Sequence, residues 1–225
     1  LWPGLLKAMI HNQKRQQTRV RLFEYGLNFI PDGGELRQEP YLGGVITGTA
    51  LPEQWGLAAR PLDFFDLKSE VEALLALTGE PEAFTFVAAV HPALHPGQSA
   101  RLDRNGATVG WLGALHPRAA RQLDVEGDVF GFELRLSALQ PARTPAFHEL
   151  SRFPASRRDL AIVVDESVSA QAIQDSIRQH GGDLLRKVRL FDVYRGKGIG
   201  DGRKSLALGL ILQDLSRNLT DSVVE

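Results

Sequence analysis

The architecture of this chain is read best from one segment, Arg186-Lys-Val-Arg-Leu-Phe-Asp-Val-Tyr-Arg-Gly-Lys-Gly-Ile-Gly-Asp-Gly-Arg-Lys-Ser205. The β-branched and aromatic residues at 188–194 predict a strand, and Ser205 is predicted to open a second strand that runs to Leu212. The glycines between these runs permit the positive φ angles of a hairpin loop. The segment therefore predicts two antiparallel strands joined by a glycine-rich loop.

The same segment is strongly basic. It holds seven Lys and Arg residues and two Asp residues, in a chain whose formal net charge is −1. Local positive charge beside aromatic and polar side chains on strands is typical of sheet surfaces that bind single-stranded RNA. The alternative interpretation is a solvated hairpin, because charge runs usually lie on solvated surfaces.

The residues around the hairpin complete a strand–helix–strand–strand order. Asp159–Val164 is an apolar run rich in β-branched residues, which predicts a strand. Ser169 is a typical N-cap for a helix that ends at Gly181. Residues 220–225 indicate the start of one more helix. We therefore predict a ferredoxin-like (βαββαβ) unit that lacks most of its second helix and its last strand.

The first part of the chain has the pattern of an antiparallel α+β domain. The spacing of apolar residues from Leu5 to Ile10 predicts a first helix. A second helix is predicted after Asp63, with Val71, Leu74 and Leu75 on its buried face. Strands are predicted at residues 20–25, 27–30, 44–47, 84–90, 99–103, 107–115 and 129–136.

Two domains are predicted, at residues 1–145 and 146–225. Prolines between Gln140 and Pro145 interrupt regular structure and indicate the boundary. From Ser151 onward the chain has 12 Lys and Arg against 10 Asp and Glu, and the remainder has 14 against 17. A basic surface over the whole protein is therefore excluded, and any contact with RNA has to come from a local patch.

Composition and motifs exclude several kinds of site. The absence of cysteine rules out disulfides and thiolate metal sites and is compatible with a reducing cytoplasm. No apolar run is long enough to span a bilayer, and no signal peptide is recognisable. Histidines 91, 95 and 116 lack obvious carboxylate partners, which favours loop or packing roles over metal binding. The three tryptophans are predicted to be packing residues.

Two short motifs resemble ATP-binding motifs of class II aminoacyl-tRNA synthetases but lack the required context. Gly198–Arg203 resembles the glycine-rich third motif, yet a strand rather than a helix follows it. Arg21 and Glu24 resemble the pair of the second motif, yet a separation of three places them on opposite faces of a strand. We therefore expect neither motif to bind a nucleotide.

A longer resemblance covers nearly the whole chain. The motifs in the second part are Ser151–Leu160, Leu190–Tyr194, Gly202–Ala207 and Asn218–Asp221. Those in the first part are Leu5–Leu6, Arg21–Gly26, Gly44–Gly48, Asp63–Lys68, Leu94–Ala100 and Gly113–Pro117. In this order they resemble the two last domains of bacterial phenylalanyl-tRNA synthetase β subunits, with Asn218 at a position where that family usually has threonine.

The resemblance implies a class II synthetase-like antiparallel sheet domain without catalytic activity at residues 1–145, incomplete at its start. It implies a truncated ferredoxin-like anticodon-binding domain at 146–225. The complete protein would be a cytoplasmic (αβ)2 heterotetramer that joins phenylalanine to tRNA(Phe), with ATP and Mg²⁺ bound by the catalytic α subunit and this segment serving as scaffold and tRNA reader. No catalytic residue, metal, cofactor, membrane or DNA is expected for the segment itself. The alternatives are a stand-alone ferredoxin-like RNA-binding or interaction protein without a ligase partner and, less expected, a ligase active by itself.

Given this resemblance, we predict that Asp192, Tyr194 and Ser205 read the anticodon, whose first base is guanine. A carboxylate can accept hydrogen bonds from N1–H and N2–H of guanine together. Asp192 and Tyr194 share a strand face, and Ser205 offers a hydroxyl from the next strand. The alternative for Asp192 is a strand-end carboxylate already paired with its neighbours. The cations predicted to contact phosphates are Arg157, Arg158, Arg195, Lys197, Arg203 and Lys204.

Overall fold

The structure is a computed structural model that describes residues 1–140, 147 and 150–220. The chain forms two compact units, Leu1–Pro145 and Ala146–Glu225. Both units combine helices with antiparallel sheets, which confirms the predicted α+β class. The proline-containing boundary at 141–146, His148 and all but the first residue of the helix predicted at 220–225 lie outside the described residues.

The first unit is built on one antiparallel sheet of six strands, in the order β1-β2-β6-β5-β4-β3. Its elements are α1 (Trp2–Gln13), β1 (Val20–Asp32), β2 (Glu35–Thr47), α2 (Phe64–Ala76), β3 (Phe84–Ala88), β4 (Leu94–Arg104), β5 (Ala107–Leu115), α3 (Pro117–Gln122) and β6 (Val129–Arg135), with short 3₁₀ turns at Pro81–Ala83 and Leu136–Leu139.

The first hairpin is longer than the sequence predicted. The two strands predicted at 20–25 and 27–30 form one continuous strand, because Gly26 stays in register opposite Tyr41. β2 starts at Glu35, nine residues before the prediction, directly after a turn in which Gly33 and Gly34 have positive φ. Pairing along the full length of the hairpin therefore outweighs the lack of apolar alternation in the first part of β2.

Each face of this sheet is covered by one helix. From α2, Leu67 and Val71 are fully buried and Leu75 nearly so, while Leu74, predicted on the same face, is only partly buried. Together with sheet residues they form the larger core, which includes Ile46, Ala100, Leu102, Leu112, Phe130 and Leu134. The other core joins α1 to the opposite sheet face through Leu5, Leu6, Met9, Val20, Val45 and Val129.

Asp63 begins α2 as its N-cap. Its carboxylate accepts hydrogen bonds from the N–H groups of Phe65 and Asp66 at 2.8 and 3.0 Å. The carboxylate of Asp66 accepts in return from the N–H of Asp63 at 2.9 Å. This capping box satisfies amide groups that have no partner within the helix.

Asp63→Ala is expected to lower the free energy of unfolding of the first unit by about 1 kcal/mol, because the helix loses its cap. All three tryptophans of the chain, at positions 2, 55 and 111, lie in this unit, so urea denaturation followed by tryptophan fluorescence reports on it. The control is Asp32→Ala at the hairpin turn, where the nearest ion-pair partner, Arg37, is 3.9 Å away. Equal losses in the two variants would contradict the capping role.

The second unit contains β7 (Ser156–Asp165), α4 (Ala170–His180), β8 (Leu185–Tyr194) and β9 (Arg203–Leu212). Its sheet has the order β7-β9-β8, and both strand pairs are antiparallel. This confirms the predicted strand–helix–strand–strand order and the glycine-rich hairpin, although β9 begins at Arg203 rather than at Ser205. Ser169 caps α4, as predicted, by accepting the N–H of Ala172 at 3.1 Å. In the described part of the chain, no helix combines the length and apolar character needed to cross a membrane.

Candidate nucleic-acid interface

The sheet of the second unit has one buried face and one exposed face. Leu206 and Leu208 of the central strand β9 are 1% and 0% exposed and therefore mark the buried face. Side chains alternate along a strand, so the residues between and beside them lie on the opposite face. In the middle of β9 the residues of this exposed face are all small: Ser205, Ala207 and Gly209.

The exposed face brings Asp192, Tyr194 and Ser205 together. Tyr194 pairs directly with Ser205, and Asp192 pairs with Ala207, two positions farther along β9. Directly opposed residues on antiparallel strands point to the same face, with Cβ atoms about 4.5–5.5 Å apart. The three residues predicted to read the anticodon therefore form one compact group, and their role in reading stays a prediction.

The carboxylate of Asp192 is exposed, and within residues 1–140, 147 and 150–220 it has no hydrogen-bond or ion-pair partner. The alternative interpretation of a carboxylate satisfied by its neighbours therefore finds no support. Tyr194 is 46% exposed, and its hydroxyl donates to the carbonyl oxygen of Lys197 at 3.2 Å. The tyrosine ring thus lies across the start of the hairpin loop.

A β-bulge at Phe191 sets the faces of β8. The register skips Phe191, which has no partner on β9, so the alternation of side chains shifts by one position there. Arg189, on the far side of the bulge, pairs with Gly209 and shares the exposed face with Asp192. Simple alternation places Arg189 on the opposite face, which is why the sequence analysis missed it.

Lys187 is a second cation that the sequence analysis did not single out. It pairs with Ile211, which lies on the exposed face because it alternates with the buried positions of β9. Lys187 and Arg189 are both exposed, and neither makes an ion pair or hydrogen bond in the described part of the chain. The exposed face therefore has two more available cations than predicted.

Three of the cations predicted to contact phosphates lie at the hairpin loop in different surroundings. Lys197 is exposed and its ammonium has no partner among the described residues. Arg203 lies 3.5 Å from Asp165, and both side chains are more than half exposed. Arg195 donates two hydrogen bonds to the carboxylate of Glu166, at 2.7 and 3.1 Å. Arg195 is thus engaged within the protein, whereas Lys197 is not.

Lys204 departs from the prediction of a phosphate contact. It alternates with Ser205 and so points to the buried side of the sheet, where it is 8% exposed. Its ammonium donates to the carbonyl oxygen of Glu166 at 2.8 Å. Arg158 points to the same side, because it pairs with Leu210. Strand alternation, applied to every position, would have separated these two cations from the others.

Arg157 lies on the exposed face, and its planar guanidinium group is close to the sheet. Its guanidinium carbon is 5.1 Å from the ring centroid of Phe191, and its Nε donates to Asp159 at 2.7 Å. A Cβ built on Gly209 would lie 3.2 Å from the Nε of Arg157, so glycine at this position lets the guanidinium approach the strand. Arg157 and Phe191 together extend the exposed face beyond Asp192.

The synthetase-like pair in the first unit is separated as predicted. Arg21 donates to the carboxylate of Glu70 at 2.7 Å and to the carbonyl oxygen of Ala50 at 3.0 Å. Glu24 lies on the other face of β1, beside Gly4. The two side chains therefore cannot hold one ligand between them.

The predicted histidine cluster serves packing and loops. The His91 ring lies between Trp2 and Trp111, with centroid distances of 5.5 and 5.0 Å, and burial lowers its pKa. His95 and His116 each accept a backbone N–H near a turn. Among the described residues, no group of three or more His, Asp or Glu is placed to hold a metal.

The prediction that all three tryptophans are packing residues is wrong for Trp55. This residue is fully exposed in the connection between β2 and α2. Trp2, by contrast, is partly buried, and its indole N–H donates to the carbonyl oxygen of Phe132 at 2.9 Å.

Comparison with known proteins assigns both units. The family model described as "Phenylalanyl tRNA synthetase beta chain CLM domain" matches residues 1–136. The model described as "Ferredoxin-fold anticodon binding domain" matches residues 151–225 and therefore agrees with the fold of the second unit.

Individual relatives agree with these matches over the whole chain. The phenylalanine–tRNA ligase beta subunit of Pseudomonas fluorescens is 53% identical over 224 residues, which is 100% of this chain and 28% of the relative. Those of Nitrosococcus oceani and Vibrio vulnificus are 51% and 50% identical, over 100% and 97% of this chain. The chain thus spans 28% of the length of the curated relatives it matches. Family models and relatives together show that this chain belongs to the phenylalanyl-tRNA synthetase beta chain family.

Proposed function

We propose that the second unit binds the anticodon of tRNA(Phe) on the exposed face of its sheet. The first unit, in this proposal, is a class II synthetase-like scaffold without catalytic activity, with domain limits at 1–145 and 146–225. The complete protein acts in the cytoplasm as the β subunit of an (αβ)2 phenylalanine–tRNA ligase, in which the α subunit carries out the ATP- and Mg²⁺-dependent chemistry.

The observation that carries the proposal is the unpartnered carboxylate of Asp192 beside an exposed aromatic ring. Buried or paired carboxylates have fixed partners, whereas a free one on an open sheet face can accept the N1–H and N2–H of guanine as a charge-assisted pair. Unstacked bases are recognised in this way, through their Watson–Crick edges and by stacking on aromatic rings such as that of Tyr194. Ser205, directly opposite Tyr194, adds a hydroxyl to the same position.

The shape of the exposed face suits an extended strand of RNA. The exposed face is lower at its centre than at its sides, because the middle of β9 has the small residues Ser205, Ala207 and Gly209 between larger residues of β7 and β8. Alternate residues of a strand are about 6.6–6.8 Å apart. A base held at Tyr194 therefore has its neighbour near Asp192, two positions away on the same strand.

Cations lie at both ends of this face. Lys197 and Arg203 belong to the hairpin-loop end, and Lys187 and Arg189 to the other. In this proposal they contact phosphates, which positions the RNA without reading its sequence. Arg195 and Lys204 have no part in it, because Glu166 already binds both.

For the first unit, the proposal of a scaffold without catalysis is supported by Arg21. In an active synthetase-like site this arginine would be open to a nucleotide, but here its two terminal nitrogens donate to Glu70 and to the main chain at Ala50. Co-purification of the native protein with a separate α chain tests the subunit assignment and discriminates it from a stand-alone RNA-binding protein.

The proposed anticodon binding is tested with two stem-loops that differ only in the first anticodon base, guanine or cytosine. We expect the native protein to bind the guanine form more tightly, at both low and high salt, because base contacts are added to the salt-dependent phosphate contacts. Salt-sensitive binding of both forms with equal affinity would contradict the proposal and leave only a basic hairpin that holds phosphates.

A further inference from the structure

Glu166 connects three parts of the second unit at the loop end of the sheet. It directly follows β7, and its main-chain N–H donates to the carbonyl oxygen of Gly202 at 2.8 Å. Its carbonyl oxygen accepts from the Nζ of Lys204 at 2.8 Å. Its carboxylate accepts from Nη2 and Nε of Arg195, at 2.7 and 3.1 Å. The main chain of Glu166 thus fixes the loop end, while its carboxylate binds Arg195 and lies 3.8 Å from the Nζ of Lys204.

The pair has the geometry with which arginine binds a phosphate. A guanidinium presents two parallel N–H donors that fit either a carboxylate or a phosphate. The hydrogen bonds from Arg195 lower the pKa of the Glu166 carboxyl, so it is charged at neutral pH. Arg195 immediately follows Tyr194, one of the proposed base readers. The carboxylate therefore occupies donors that would otherwise reach an RNA phosphate beside that residue.

We propose that Glu166 is an internal phosphate mimic, which withdraws Arg195 from RNA binding and so attenuates the electrostatic, non-selective part of the affinity. This inference rests on the proposed function, because it takes RNA to lie on the exposed face. It also reverses the role predicted for Arg195 from the sequence. Lys197 and Arg203 stay available, so the attenuation acts on one phosphate contact among several.

The pair is exposed enough for its removal to leave the fold intact. The side chains of Arg195 and Glu166 are 57% and 49% exposed, and exposed ion pairs contribute little net stability. Two further contacts of Glu166 use main-chain atoms, which a change of side chain leaves in place. The carboxylate also lies 3.8 Å from the Nζ of Lys204, which keeps its hydrogen bond to the Glu166 carbonyl oxygen when that charge is removed. Glu166→Gln therefore removes the charge that holds Arg195 without removing the main-chain hydrogen bonds of Glu166 at the loop end.

The test is the salt dependence of RNA binding by E166Q, measured with the native protein and the guanine and cytosine stem-loops. E166Q is expected to bind both RNAs about three- to tenfold more tightly at low salt, because Arg195 gains a phosphate. The slope of log K against log salt concentration, where K is the association constant, should become more negative by about 0.7. This is the change expected for one more phosphate contact on a single strand. The ratio of the two affinities should stay unchanged, since a phosphate contact carries no sequence information.

Three further variants separate release of Arg195 from a general change in charge. D165N removes the same charge one position earlier, from a carboxylate 3.5 Å from Arg203, and should steepen the plot less than E166Q. R195Q alone leaves the Glu166 carboxylate without Arg195, so its slope should be no steeper than that of the wild type. The double variant E166Q/R195Q should return to the wild-type value, as expected when two residues act through one contact.

Either of two results would overturn the inference. One is a slope for E166Q no steeper than that for D165N. The other is a slope for E166Q/R195Q that is shallower than wild type by about 0.7, which would mean that Arg195 already contacts a phosphate in the wild-type protein. If the wild-type protein showed no preference for guanine, this would contradict the proposed function instead. The slopes of the variants could still be compared, so the two failures are distinguishable.

Discussion

Asp192→Ala is expected to remove most of the preference for guanine at the first anticodon position, lowering affinity for the guanine stem-loop by about 1–3 kcal/mol, or roughly five- to 150-fold. The physical reason is that the variant loses a carboxylate that is exposed and unpaired, so nothing else in the described part of the chain is disturbed. Affinity for the cytosine stem-loop, which lacks the two donors, should change little. Equilibrium binding of both stem-loops at one salt concentration measures the effect.

The matched control for Asp192 is Lys197→Ala, a change at another exposed residue of the same hairpin. It should weaken binding of both stem-loops to the same extent and flatten the salt dependence by about 0.7 to 1, because a phosphate contact is lost. If Asp192→Ala instead weakened the binding of both stem-loops equally, Asp192 would position the RNA rather than read a base. The proposal that Asp192 recognises guanine would then be contradicted.

Leu67→Ala is expected to lower the free energy of unfolding of the first unit by about 2–5 kcal/mol. Leu67 is 0% exposed, and its helix packs on the sheet, so truncation leaves a cavity that the surrounding strands cannot fully close. Leu77→Ala is the matched control, since Leu77 follows the same helix and is 76% exposed. Surface changes of this kind usually stay within about 0.5 kcal/mol.

Urea denaturation followed by tryptophan fluorescence measures both leucine variants. Equal effects of Leu67→Ala and Leu77→Ala would show that α2 does not pack on the sheet as described. A loss for Leu67→Ala at the lower limit of the range would instead indicate that neighbouring side chains move into the space.

Local patterns were sufficient for most elements of the fold. The predicted cap at Ser169 and the apolar spacing after Asp63 were sufficient to predict where α4 and α2 begin. The glycine-rich loop was predicted correctly as a hairpin, because its glycines are flanked by two strand patterns. The length of the first hairpin was not predicted, since its pairing depends on the opposite strand and not on the alternation of residues 35–43.

The candidate site was predicted only in part, for a related reason. Asp192, Tyr194 and Ser205 lie on the same face because they are on the loop side of the bulge, where simple alternation holds. Arg189 was missed because the bulge shifts the alternation, and a bulge is a property of strand pairing. The ion pair between Arg195 and Glu166 could not be predicted from local patterns, because Glu166 is 29 positions away and only the tertiary structure brings the two together.

The bulge at Phe191 also bears on how this segment tolerates insertions and deletions. Since Phe191 is the residue that the register skips, a chain without it would keep every pair between β8 and β9, from Leu190 with Leu208 to Tyr194 with Ser205. Phe191 is thus an added residue that places an aromatic ring on the exposed face without displacing its neighbours. A deletion or insertion of one codon here can therefore remove or add one aromatic ring, while the strand pairs on both sides stay in register.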